Sequence, residues 1–322
     1  MIVYTIRRTL QSLLVLAIII VITFTLPYFQ PNGIDSPAYA ALGVRANPVT
    51  VHIWAVQHGL AAPYLTRLWQ YTDALVFHLN LGHSFKQGLS VNQIIALYVP
   101  RTLWLALTAL LLTTLIAIPL GIFQSSRRNT AVDYGATGSA FILYAMPSFL
   151  LCILMIDAFG FHLLHLPVEP PTGVEPWAIF TDPKGFILPV ASLTLLGVAG
   201  LSRFMRGTML EVSVQDYVRT AKAKGCSPSR VLWRHSFRNA LGPIVVILGL
   251  SIPALFGGAL IIEDVFNYAG LGIQTVNAAL EFDVPTVMGI TLLVAIFTLL
   301  GNYLADIALA LLNPRIRFQG ME

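Results

Sequence analysis

The stretch that decides the reading of this chain is Tyr217–Pro243, YVRTAKAKGCSPSRVLWRHSFRNALGP. It carries Arg219, Lys222, Lys224, Arg230, Arg234 and Arg238 within a chain of 322 residues that is 56% hydrophobic and only 11% charged. A soluble domain is nearer to roughly 25% charged, and mean hydropathy here is +0.75. A dense basic knot in so apolar a chain marks a segment held at one face of a bilayer. A membrane helix requires about 20 apolar residues. Runs of that kind fall at roughly 9–29, 102–124, 135–163, 187–204, 243–262 and 286–312. The expected architecture is an all-α membrane protein with six transmembrane helices and both termini on the same side.

Orientation follows from where the cations sit, because cytoplasmic loops carry the excess of Lys and Arg. With the N-terminus inside, fourteen of the nineteen Lys and Arg residues fall in inside segments. They include Arg7, Arg8, Arg127, Arg128, Arg203, Arg206, Arg315, Arg317 and the knot itself. Only Arg45, Arg67, Lys86, Arg101 and Lys184 fall outside. The expected topology is N-in/C-in, with a long external segment after the first span. Arg7 and Arg8 ahead of an apolar run, with Ala38-Tyr39-Ala40 beyond it, have the outline of a cleaved signal. The run is longer than a signal core of about 7–15 residues, so it is read as a retained span. Cys152 falls in the third span and Cys226 in the knot, on different levels, which predicts no disulfide.

Local signals shape the knot. Ser213 with Asp216 three positions on is an Asp form of the capping box, so a helix is expected from there to Gly225. Glycine suits a helix C-terminus, and Lys222 and Lys224 in the last turn suit its dipole. Ser227 reads as a second N-cap with Pro228 at the first helical position. This second helix is expected to run to about Asn239, with Trp233 and Phe237 on one face. Two short helices at a glycine elbow make a rigid bump with a basic rim. Plain retention charge would satisfy the positive-inside rule without that shape, whereas a partner's groove would use it.

Beside this reading, DYVRTAKAKG and VLWRHSFRNALGP resemble the coupling segment of binding-protein-dependent ABC importer permeases of the dipeptide/oligopeptide/nickel type. The opening YTIRRTLQSLLVL, LGHSF, VPRTLWLAL, IIEDVFNYAGLG and the ending NYLADIALALLNPRIR are similar to the same group, in its B-type subunit, over nearly the whole chain. The resemblance implies two blocks: 1–99, the first span and external segment, and 100–318, the permease domain with a coupling segment at about 213–239. It implies a half-pathway for di- or oligopeptides, or for nickel, haem, glutathione or oligosaccharides. The implied partners are a second, C-type permease, two ABC ATPase subunits, an extracytoplasmic solute-binding protein and membrane lipid, with no nucleic acid. ATP and Mg would sit on the ATPase chains and no cofactor on this one. The ATPase-coupling residues would be Asp216, Tyr217, Arg219, Thr220, Ala221, Lys222, Lys224, Gly225, Ser227, Arg230, Arg234, His235 and Asn239. Three positions depart from the pattern. Arg219-Thr220-Ala221 replaces Glu-Ala-Ala, Gln30-Pro31-Asn32-Gly33 replaces an acid-bearing turn, and Asn313-Pro314-Arg315 replaces Asp-Pro-Arg. They leave the substrate open.

Independently of that resemblance, a P-loop needs a lysine directly after glycine. None of Lys86, Lys184, Lys222 and Lys224 follows one, so no ATPase or catalytic site is expected here. Ionisable groups inside spans mark a pathway or a structural pair. Tyr144, Pro147, Asp157, Pro253, Asn302 and Asp306 are the pathway-lining candidates. An ATP-independent secondary transporter or channel is the competing reading, and two acids without an intramembrane base support it poorly. Pro119, Pro147, Gly249, Pro253, Gly257 and Gly258 are expected to serve packing or kinks. His52, His58, His78 and His83 lack tight ligand spacing, and no metal site is expected. The connection 263–285 carries Glu263, Asp264, Glu281 and Asp283 without Lys or Arg, a candidate surface for a binding protein.

Overall fold

The computed structural model describes residues 2–29, 36–43, 45–170, 183–257 and 259–312. The Gln30-Pro31-Asn32-Gly33 and Asn313-Pro314-Arg315 departures, Gly258 and the side chain of Pro253 lie outside the described residues. Helices follow one another in the order α1 (Ile2–Thr25), α2 (Ser36–Leu42), α3 (Pro48–Gln57), α4 (Tyr64–His78), α5 (Val91–Ser126), α6 (Ala131–Ala145) and α7 (Ser148–Met155). Then come α8 (Ile187–Ser213), α9 (Asp216–Ala223), α10 (Pro228–Arg230), α11 (Arg238–Gly257), α12 (Ala259–Val265), α13 (Leu271–Leu280) and α14 (Val284–Leu312). Wider π-helical turns occupy Ile156–Leu163 and Val231–Phe237. Among the described residues, β pairing is confined to one antiparallel bridge between His83 and Ser90.

Among the described residues, four helical segments are long and apolar enough to cross a membrane: Ile6–Thr25, Val91–Ser126, Pro183–Ser213 and Val284–Asp306. A fifth arises if α6 and the Ser148–Leu163 segment count as one span, but they meet at an angle of 107°. The span expected over 135–163 is therefore broken, and of the two uses expected for Pro147 the structure shows the kink. Pro147 explains it: proline drives the preceding residue out of the helical region, and Met146 is extended at φ −73, ψ 130. Pro119, by contrast, sits inside α5 without interrupting it. The segment expected at 243–262 is helical as α11 and α12.

The chain divides into two compact units, Met1–Thr102 with Ala269–Leu299, and Leu103–Tyr268 with Leu300–Glu322. In the first, Asp283 is only 1% exposed and gathers the loop after α4. Its carboxylate accepts from Ser84 Oγ, from Phe85 N at 3.1 Å and from Thr286 Oγ1 at 2.6 Å. Arg67 donates to Tyr28 Oη at 2.9 Å and lies 5.4 Å from that ring's centroid.

The second unit is built on α8. Ala117, Ile122, Val198, Leu201, Met205 and Ile244 form one buried cluster. Leu151, Cys152, Met155, Leu188, Ile262 and Phe266 form another. Backbones approach closely where side chains are small. A Cβ on Gly121 would meet Ser202 O and Met205 Cβ at 2.6 Å, and one on Gly197 would meet Thr113 Oγ1 at 2.6 Å. In lipid, association of helices rests on such contacts because the tails are as apolar as leucine. At the start of α6, Thr130 caps the helix and Asp133, 1% exposed, points at α8. Arg206 grips it with both arms of its fork, Nε to Oδ1 and Nη2 to Oδ2, each at 2.7 Å. Asn129 N donates to the same carboxylate at 3.0 Å.

Gly121→Val is expected to destabilise the folded protein by about 1–3 kcal/mol, because a backbone oxygen must retreat. Gly135→Ala, which has nothing within 4 Å of the new Cβ, is expected to be neutral or slightly stabilising. Thermal unfolding in detergent compares the two. Asp133→Ala leaves a guanidinium without its partner and is expected to cost about 2–3 kcal/mol. That is below the 3–5 of a fully buried pair, because Arg206 is 25% exposed and water screens it in part. Adding Arg206→Leu is expected to recover part of that loss in the same assay.

Candidate functional site

The basic knot folds largely from local chemistry. α8 runs to Ser213, beyond the expected end at 204, so the expected capping box at Ser213 is not formed. Ser213 Oγ instead donates to Leu210 O at 2.7 Å, inside the last turn of α8. A serine that can bond back to its own helix gives up the cap. Gln215, extended at φ −70, ψ 149, takes the N-cap position of α9 without a side-chain capping bond; its amide donates back to Glu211 O at 3.4 Å. α9 closes as expected at Gly225, where φ is +75. Cys226 N donates to Ala221 O at 3.2 Å and Gly225 N to Lys222 O at 3.0 Å. That pair of bonds is the Schellman arrangement, which needs a left-handed residue at the position Gly225 fills.

Ser227 caps the next helix, its hydroxyl accepting from Arg230 N at 3.4 Å, with Pro228 in the first turn. This helix does not stop at Asn239 as expected. α10 passes through the π-helical turn Val231–Phe237 directly into α11, without a break between Pro228 and Gly257. Arg230, Val231 and Arg238 all keep right-handed helical dihedrals, so no residue there can end it. Val218, Ala221 and Val231 close a small buried cluster against Val212 and Cys226. Trp233 and Phe237 stack edge to face at 5.4 Å. Tyr217, Arg219, Thr220, Lys222, Lys224, Arg230, Arg234 and Asn239 remain exposed and His235 half-buried, while Ala221 points inward. Asp216 and Arg219 face each other loosely at 3.8 Å in water. Partial burial raises the pKa of the Tyr217 hydroxyl above its ordinary value.

The second unit carries an open cavity of about 880 Å³. Its wall includes Thr113, Phe141, Tyr144, Ser148, Gly197, Arg203, Arg206 and Ser251. Among the described residues, Tyr144 is the one pathway candidate in that wall. Pro147 sets the bend beside Ser148. Asp157 lies off the cavity, 64% exposed, with His162 Nδ1 3.6 Å away. Asn302 and Asp306 are half-buried on α14 and are not part of the wall. The sequence reading took Arg203 and Arg206 only as inside charge. No spacing rule separates a cation that faces a cavity from one that faces headgroups.

The acidic connection is also rearranged. Asp283 is a buried structural acceptor and Glu263 is fully buried, leaving Asp264 and Glu281 exposed. Of the external histidines, His58 stacks on Trp54 at 3.8 Å and His78 lies 3.9 Å from Asp73. Among the described residues no three His, Cys, Asp or Glu side chains gather as ion ligands.

Residues 117–318 match the family described as the binding-protein-dependent transport system inner membrane component, and residues 1–106 match its N-terminal region. The oligopeptide transport system permease protein AppB of Bacillus subtilis is 33% identical over 98% of this chain and 99% of its own length. A putative peptide transport system permease protein of Brucella abortus is 35% identical over 97% and 98%. The oligopeptide transport system permease protein OppB of Haemophilus influenzae is 34% identical over 97% and 98%. In fold, a chain from inward-facing conformations of the MetNI methionine ABC transporter aligns with 66% of this chain and 93% of its own, at TM-score 0.51 and 15% identity. The protein thus belongs to the binding-protein-dependent transport system inner membrane components: it is a membrane-spanning permease subunit of the bacterial inner membrane.

Proposed function

We propose that this chain forms half of the pathway of a peptide-importing ABC complex, with six spans and both termini in the cytosol. It pairs with a second permease, receives solute from an extracytoplasmic binding protein, and rests on two ATPase subunits that hold ATP and Mg. Asp216–Asn239 is the segment that seats in a groove of one ATPase. The single observation that carries this reading is the build of that segment. A short helix is locked by a Schellman turn, carries an exposed basic rim, and leads into the continuous helical run Pro228–Gly257. Charge kept only for topology has no need of a capped turn or a buried Val218–Ala221–Val231 contact. Peptides are favoured as substrate because the relatives at 33–35% identity are named for peptide and oligopeptide transport.

Purification of the native complex in mild detergent tests the assembly. A second permease and P-loop ATPases are expected to co-purify, whereas a transport-competent oligomer of this chain alone would overturn the proposal. Gly225 tests the coupling role. A Cβ there meets nothing within 4 Å, so Gly225→Val acts through backbone strain of about 1–2 kcal/mol confined to the turn. ATP-driven uptake is expected to fall at least tenfold while membrane insertion stays normal. Gly225→Asn, which tolerates the left-handed region, is expected to keep most of the activity.

A further inference from the structure

We infer that Arg203 is a specificity-determining residue of the permease, recognising the free C-terminal carboxylate of a peptide inside the cavity. The inference rests on the peptide-importer reading above. Two arginines of α8 reach the cavity wall, and they are differently placed. The fork of Arg206 is filled by Asp133 at 2.7 Å on both arms. Arg203, one turn earlier, is half-buried and faces no carboxylate within ion-pair distance among the described residues. Its guanidinium carbon lies 3.7 Å from the Phe141 ring centroid and 5.1 Å from that of Tyr144. Both rings lie against the guanidinium and hold it at the cavity wall. Among the described residues no Asp or Glu is part of the cavity wall.

A cation in a largely apolar cavity is costly unless something compensates it. Aromatic faces supply only part of that compensation. A planar carboxylate supplies the rest, since it accepts two parallel N–H bonds from a fork held in place. At about 880 Å³ the space is in the range of cavities that enclose small ligands. Every linear peptide with an unmodified end brings one such carboxylate, whatever its side chains. An arginine at this place therefore favours peptides as a class without reading their sequence.

The test uses the complete complex with its binding protein in proteoliposomes and two probes, trialanine and trialanine amide. The only carboxylate of trialanine is its C-terminus. The binding protein also discriminates between the probes, but its contribution cancels when acid-to-amide uptake ratios are compared between variants. Arg203→Gln is expected to lower that ratio about tenfold relative to the unaltered complex, the size of a lost charge-assisted bond. Arg203→Lys is expected to keep part of the preference, since the charge remains but the two-pronged fork is lost. Phe141→Leu, which loosens the guanidinium without removing it, is expected to lower the ratio by a smaller factor, and it carries the test if Arg203→Gln does not assemble. A ratio within about twofold of the unaltered one in Arg203→Gln, or in Phe141→Leu where that variant stands in, overturns the inference. So does a loss in Arg203→Lys equal to that in Arg203→Gln. Failure of the unaltered complex to take up either probe with ATP instead overturns the peptide-importer reading.

Discussion

The second unit depends on the two-armed ion pair between Asp133 and Arg206. Asp133 is the third residue of α6 and is buried to 1% exposure. A carboxylate so placed is tolerable only with its oxygens satisfied, and Arg206 with Asn129 N supplies the acceptor's needs. Because the guanidinium is a rigid fork, the pair fixes rotation as well as distance. α6 is thereby set against α8 at one angular register. That register in turn brings Phe141 and Tyr144, two and three turns along α6, to the side where Arg203 lies.

The remaining contacts of α8 are of a different kind. Thr113 reaches Thr194 O at 3.3 Å across the place left open by Gly197. Gly121 admits Ser202 and Met205 and, away from α8, Gly249 on α11 admits Ala305 at 2.7 Å from the Cβ it lacks. The glycine contacts are fits of shape, which lipid does not compete for. One polar grip sets the register, and several small-residue contacts set the spacing.

The parts of this structure legible in the sequence are those decided within a few residues. Gly225, Ser227 and Pro228 closed and restarted helices where backbone chemistry says they should. Trp233 and Phe237 met because they are four apart on a helix. What escaped was decided by tertiary context. Ser213 had the spacing of a cap, but α8 ran past it, and the hydroxyl found a nearer acceptor. Nothing local told π-helical continuation at Val231–Phe237 from a stop at Asn239. Pro119 and Pro147 are the same residue type in apolar runs, yet only the second turned the chain, in the extended backbone at Met146. Asp283 looked like loop charge and proved to be a core acceptor, because its donors Ser84 and Phe85 lie some two hundred residues earlier. Arg203 and Arg206 were indistinguishable in sequence. Their difference lies in which of them Asp133 reaches.

The unbroken course from Pro228 to Gly257 has a mechanical meaning that two separate helices would lack. A continuous helix is stiff along its axis, so a displacement applied at Arg230 arrives at the far end with little loss. On the other side of the elbow, α9 joins α8 through the two residues Val214 and Gln215, of which Gln215 is extended. In the proposed seating on an ATPase, the knot would act as a crank whose stiffer arm is the unbroken helix. In that role the left-handed turn at Gly225 would hold the angle between the two arms.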